Sequence, residues 1–281
     1  MEKKIAILTA ATMLIAGTAS AQTISPGKHE YQVELPGTKL NVFTYRPADP
    51  RLVLIVFHGL NRDAGPYRDH ARALADKIGA IVVAPEFDAA RFSTDLYQRG
   101  GVATKGGSLI AQGKRTVDFI QPLIDWARTA SGQPSLPSAL IGHSAGGQFL
   151  TRVAAYAKTD ATPIVIANPS TWVLPSLQDA VPYGFKGMPE SESMLRVYLA
   201  LPITVLLGGN DTGTNNLSSE PEAVAQGLNR LERGRATFEK ARAIAQQHGW
   251  PFRWTLAEVP GVGHDSTKMF SSPQAAAAFG K

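Results

Sequence analysis

Residues 52–57 read Leu-Val-Leu-Ile-Val-Phe, six apolar side chains in a row with three β-branched among them. A strand with one wet face alternates apolar and polar residues. An unbroken run instead belongs to a strand buried on both faces, as in the middle of a parallel sheet. Such a strand needs apolar neighbours on each side, and the chain supplies them at 80–84, 138–142, 163–167, 203–207 and 253–259. Helical spacing fills the intervals. It runs over 66–78 with a stop at Gly79, over 110–128 with a break expected at Pro122, over 145–158, and over 221–248 with Gly227 and Gly234 as weak points. Strands alternating with helices predict an α/β fold, with a mostly parallel central sheet and helices on both faces. Residues 30–35 and 38–45 flank Pro36-Gly37 and predict a hairpin at a sheet edge. Residues 87–107 read as a long surface loop. Residues 168–200, with Pro169, Pro175, Pro182 and Pro189, read as a small insertion or cap before the penultimate strand.

Ahead of this pattern, Met1-Glu2-Lys3-Lys4 is a charged start, residues 5–17 are apolar, and Ala19-Ser20-Ala21 is a small-residue cleavage pattern. This is the layout of a secretory signal peptide over 1–21, leaving one catalytic domain over 22–281 in the periplasm or outside the cell. The apolar run is too short for a bilayer, which takes ~20 residues, so no stable membrane insertion is expected after cleavage. The formal charge of +5 falls to +4 when two lysines and one glutamate leave with the leader. The densest basic stretch, 230–242, interleaves Glu232 and Glu239 and reads as a solvated helix, so nucleic acid is not an expected partner. The chain has no cysteine. That excludes a disulfide scaffold, a thiolate metal site and a cysteine nucleophile. With no HExxH motif either, no metal and no organic cofactor are expected.

Gly142-His143-Ser144-Ala145-Gly146 lies directly after a strand and directly before a helix. Small residues around the serine permit a tight turn that lifts its hydroxyl clear of the sheet edge. The helix N-terminus beneath offers free N–H groups to a developing anion. Ser144 is therefore the candidate nucleophile. A serine needs a base at neutral pH. Of six histidines, His264 alone sits in a flexible loop just after the last strand, at Gly261-Val262-Gly263-His264. His58 ends a central strand and reads as a brace for its loop, and His143 lies inside the turn. Asp211, in Gly208-Gly209-Asn210-Asp211, follows the penultimate strand and completes the order Ser, acid, His. Asp265 adjoins the base and should point away. Two donors for an oxyanion are expected: the Ala145 amide and, in the loop after His58-Gly59, the Leu60 amide, with the side chain of Asn61 as a second candidate there.

Together His58-Gly59, Gly142-His143-Ser144-Ala145-Gly146, Asp211 and His264 resemble the α/β-hydrolase superfamily over nearly the whole chain after residue 21. Within it the chain is similar to bacterial secreted esterases, including the polyhydroxybutyrate-depolymerase-like and feruloyl-esterase-like branch. The resemblance implies the α/β-hydrolase fold and a serine carboxylic-ester hydrolase. Ser144, His264 and Asp211 would work through an acyl-enzyme on a small or polymeric ester. A serine peptidase or amidase, an acyltransferase, and a non-catalytic binding protein are the alternatives. Asn61, Tyr97 and Trp172 are candidate substrate contacts, with Leu60, Phe92 and Tyr183 as further wall candidates. Ordinary core or lid packing is the other reading of each.

Overall fold

The structure, a computed structural model, describes residues 22–281; the leader expected at 1–21 lies outside the described residues. Eight strands form one sheet: β1 (Gly27–Leu35), β2 (Thr38–Arg46), β3 (Leu52–Phe57), β4 (Ala80–Pro85), β5 (Ser138–His143), β6 (Ile164–Ala167), β7 (Ile203–Gly208) and β8 (Thr255–Val259). Their order is β1-β2-β4-β3-β5-β6-β7-β8. The hairpin β1–β2 joins β4 antiparallel at one edge, and every pairing from β4 through β8 is parallel.

Both faces of the sheet are covered, and the residues of β3 show it in alternation. Val53, Ile55 and Phe57 pack into one cluster while Leu54 and Val56 pack into the other, all fully buried. On the second face lie α1 (Ala64–His70), α2 (Arg72–Ile78), α8 (Ser266–Phe270) and α9 (Pro273–Ala277). On the first lie α3 (Ile120–Ala130), α4 (Ala145–Tyr156), α5 (Ser191–Ala200) and α7 (Arg230–His248), with the short α6 (Pro221–Val224) before α7.

The register sets the level of the loops. Phe57 pairs with Gly142, His143 with Ala167, Ala167 with Leu206, and Gly208 with Val259. The C-terminal ends of β3, β5, β7 and β8 therefore finish along one edge. β3 is flanked by β4 on one side and β5 on the other, so the chain's progression across the sheet reverses there. Crevices in open α/β sheets form at such a switch point.

Several boundaries differ from the sequence expectations. The helix expected over 66–78 is two helices meeting at Ala71. The stretch 110–128 is not helical until a 3₁₀ turn at Thr116–Phe119 leads into α3. Pro122 sits in the first turn of α3, where its missing N–H would have no intrahelical partner, so it neither breaks nor kinks the helix. The stretch 168–200 is only partly an insertion: its last ten residues are α5, the crossover helix between β6 and β7, packed against α4 and α7. No helix of the described residues is long and apolar enough to cross a membrane.

Candidate active site

The turn between β5 and α4 depends on three glycines and one strained serine. A Cβ on Gly142 would lie 2.6 Å from Gly146 O, and one on Gly147 would lie 2.7 Å from Ala167 O. A Cβ on Gly146 would overlap the Phe57 carbonyl. Only at these glycines can α4 approach β3 and β6 so closely. Ser144 takes φ 59° and ψ −117°, a conformation costing a non-glycine residue about 1–3 kcal/mol. Its N–H donates to Ala167 O at 3.0 Å, which ties the turn to β6.

Two loops from the far strands bring the partners to it. After β7, Gly209 N–H donates to Val259 O and Asn210 N–H to Val262 O, both at 2.9 Å. The β7 and β8 loops are thus one hydrogen-bonded unit. A Cβ on Gly208 would lie 2.6 Å from Val262 O. From this unit the His264 ring bridges two groups. Its Nδ1 is 2.7 Å from Asp211 Oδ2 and its Nε2 is 2.9 Å from Ser144 Oγ. With Asp211 ionised, Nδ1–H donates to the carboxylate, which leaves Nε2 to accept from the serine hydroxyl. Asp265 points elsewhere and caps α8 by accepting from Lys268 N–H at 3.0 Å.

Asp211 is buried, with a side chain 2 % exposed. Arg230, equally buried at the start of α7, places Nη1 3.6 Å from Asp211 Oδ1. The same guanidinium donates to Asn215 O at 2.8 Å. Arg233, one turn on, donates to Ser170 O and Ser218 O. These two arginines depart from the reading of 230–242 as a solvated face, whose Glu232, Arg235, Glu239, Lys240 and Arg242 are exposed. The carbonyl-rich loops at 170 and 213–218 give their guanidiniums partners inside the fold. A signal for this was present: Asn229 accepts from Glu232 N–H and caps α7, which sets Arg230 at the first helical position.

Below the reacting groups lies a neutral layer. The His143 ring packs against His264 with centroids 4.5 Å apart and the planes tilted by 37°. Burial, then the neighbouring His264, Arg230 and His70, hold it well below the usual histidine range. Its Nε2 is 3.4 Å from Asn168 Nδ2 and its Nδ1 3.3 Å from the Tyr67 hydroxyl. Asn168 also accepts from Gly208 N–H at 2.8 Å, joining the ends of β6 and β7. His58 braces the β3 loop as expected. Its Nε2 accepts from Phe87 N–H and its Nδ1–H donates to Gly59 O, each at 3.0 Å. That pattern needs the neutral ring, and burial lowers its pKa to about 4.

A cleft of about 460 Å³ opens over Ser144. Leu60, Asn61, Ala145 and His264 line it, together with Gln98, Gln148 and the 216–220 segment. The amides of Leu60 and Ala145 donate to no acceptor among the described residues. Leu60 presents an exposed side chain at the cleft.

Tyr97 and Trp172 are not on the wall, which corrects their reading as substrate contacts. Tyr97 is fully buried. Its ring stacks on Phe87 and Phe149, and its hydroxyl donates to His58 O at 2.8 Å, so it supports the β3 loop from behind. Trp172 is fully buried in the core, its backbone clasped by the Gln226 carboxamide. Phe92 and Tyr183 are buried too, Phe92 edge-on to Phe87 and Tyr183 beneath Arg99. Large aromatics in a loop gain more by leaving water than a polar cleft can return. The sequence reading missed the 216–220 segment, Gln98 and Gln148. Asn216-Leu217-Ser218-Ser219 has no periodicity to mark it, and the glutamines lie far apart in the chain. Among the described residues, no group of three or more acidic or histidine side chains could hold a metal ion.

Two solved structures match this architecture closely. The chain is 32% identical to poly(aspartic acid) hydrolase-1 from Sphingomonas sp. KT-1, with TM-score 0.85, over 92% of this chain and 100% of that one. It is 31% identical to a poly(3-hydroxybutyrate) depolymerase from Bordetella parapertussis, with TM-score 0.84, over 92% of each chain. An S-formylglutathione hydrolase from Agrobacterium tumefaciens shares the fold at 16% identity and TM-score 0.53, over 91% of this chain and 97% of that one. No family model and no curated protein sequence matches the chain. The sheet order, the strained serine turn after β5 and the two full-length relatives above 30% identity agree: the chain belongs to the α/β-hydrolase superfamily and is a hydrolytic enzyme of its esterase type.

Proposed function

We propose that the protein is a serine carboxylic-ester hydrolase working through Ser144, His264 and Asp211. The observation that carries the reading is the unbroken chain of short contacts Ser144 Oγ–His264 Nε2–His264 Nδ1–Asp211 Oδ2 at the floor of the cleft. Ser144 Oγ attacks the acyl carbon while its proton passes to His264 Nε2, and the carbonyl electron pair moves to oxygen. Leu60 and Ala145 amides receive that oxyanion. The buried Asp211 carboxylate, held beside Arg230, steadies the imidazolium. Collapse of the tetrahedral adduct breaks the C–O bond, and His264 returns its proton to the departing alkoxide. Water then attacks the acyl-enzyme with His264 again as base, releasing the acid and restoring Ser144.

Ser144→Ala should abolish hydrolysis of p-nitrophenyl acetate and butyrate with an unchanged circular dichroism spectrum. Undiminished turnover by the folded variant would refute the reading. Amide hydrolysis is the second reading, favoured by similarity to a hydrolase of poly(aspartic acid), an amide-linked polymer. The same groups would serve it, and an aminoacyl-anilide panel beside the ester panel separates the two.

Export to the periplasm or exterior is part of the proposal. It rests on the leader pattern over 1–21; Ile24, fully buried with its N–H donated to Ala130 O, lies beyond the expected cleavage site and would be kept by the mature chain. Protein purified from the producing cell should begin at Gln22 by N-terminal sequencing; an intact Met1 would refute export by this route.

A further inference from the structure

Two glutamines on the cleft wall are left half-used by the protein. Gln98 and Gln148 are 5% and 6% exposed, and both line the cleft over Ser144. Gln98 Oε1 accepts from Arg62 Nη2 at 3.0 Å, and Gln148 Oε1 accepts from Thr171 Oγ1 at 2.9 Å. An arginine only donates. The Thr171 hydroxyl itself accepts from Arg152 Nη1, which leaves its proton for Gln148. These partners decide which end of each carboxamide is oxygen. Both Nε2 groups are thereby oriented, and neither donates to any acceptor among the described residues. Gln148 lies in the first turn of α4, and its N–H donates to Ser144 O at 2.9 Å, which sets it beside the serine turn.

We propose that Gln98 and Gln148 are specificity-determining donors that read a second, uncharged oxygen acceptor on the ester, such as an ether, a hydroxyl or a further ester carbonyl. The proposal rests on the ester-hydrolase reading of Ser144. The acceptor is uncharged because Asp63 and Glu220 line the same cleft while no lysine or arginine does. Asp63 Oδ1 and Glu220 Oε2 have no hydrogen-bond partner. A substrate carboxylate would meet the Asp63 carboxylate and, with Arg99 already paired to Glu220, would find no guanidinium to pair with. Arg62 is turned to Phe87 O and Gln98, and Arg99 to Tyr183 and Glu220.

The test compares ether esters with hydrocarbon isosteres on each side of the scissile bond: p-nitrophenyl methoxyacetate against p-nitrophenyl butyrate, and 2-methoxyethyl butyrate against butyl butyrate. Gln98→Glu and Gln148→Glu keep the oxygen that Arg62 and Thr171 use and remove the donor, while adding a negative charge. Gln→Met variants at both positions remove it without adding charge. For at least one pair, the ether-to-hydrocarbon ratio of kcat/KM should fall about three- to tenfold in each folded variant, the net effect of one hydrogen bond. In the wild type, p-nitrophenyl hemisuccinate should be turned over more slowly than the methoxyacetate. Unchanged ratios for both pairs in folded variants, or a preference for the hemisuccinate, would overturn the proposal while leaving the ester-hydrolase reading intact. A wild-type enzyme inert to every ester would overturn that reading and this one with it.

Discussion

Arg230 is the residue whose loss should be felt most widely. It is the cation beside buried Asp211, and it also holds the carbonyl of Asn215. Arg230→Met would leave a carboxylate buried without a counter-ion, which typically costs about 3–5 kcal/mol. Urea unfolding should show a loss of that size, and kcat/KM should fall with it. Arg230→Lys keeps the charge without the planar fork and should lose less. An Arg230→Met variant as stable as wild type would remove the ion pair from the account. How far single residues could be read from the sequence follows from this case. Ser144, Asp211 and His264 each stand in a short glycine-marked loop after a strand, and glycine is visible in a sequence. Arg230 has no such marker: whether an arginine on a helix meets water or a buried carboxylate depends on what packs against it. Tyr97 and Trp172 failed for the converse reason. An aromatic in a loop looks the same whether it faces a ligand or the core.

At the scale of elements, the turn between β5 and α4 is the tightest junction in the site. Gly146 faces the backbone of β3, with Phe57 O where a Cβ would sit. A backbone carbonyl in a central strand cannot turn aside as a flexible side chain can. Gly146→Ala should therefore destabilise the protein by about 3 kcal/mol or more. Gly106→Ala, whose Cβ would approach nothing closer than Thr104 Oγ1 at 3.8 Å, should be near neutral. Thermal melts of the two variants side by side make the comparison, and equal melting temperatures would contradict it. Central strands were legible because burial on both faces leaves nothing polar in the run. The ends of helices were less so. Pro122 signals a helix break by its chemistry, yet it is harmless in a first turn, and only the start of α3 decides which applies. The crossover helix α5 was hidden behind the proline-rich segment that precedes it.

The whole molecule carries a pH signature from its two buried histidines. His58 is neutral in the fold with a pKa of about 4, against about 6.5 in an unfolded chain. Between those values the unfolded state binds a proton that the native state does not, so stability is full above about pH 6.5 and is lost as pH falls toward 4. His58 alone accounts for about 3 kcal/mol of that loss, at 1.36 kcal/mol per pH unit. His143 is shifted the same way by its own burial and adds to it. Melting temperatures should drop steeply from pH 6.5 to 4.5. His58→Asn, which cannot charge, should flatten the slope, and an equally steep slope would show that His58 is not the cause.

The spacing of the site along the chain also sets when activity can begin. Ser144 and His264 lie 120 positions apart, and Asp211 and His264 lie 53 apart. His264 arrives on the loop after β8, the last strand of the sheet. Until that loop docks, the strained serine turn has no imidazole beside it. On the proposed mechanism, activity regained in refolding reports the docking of β8 and the loop after it rather than collapse of the core.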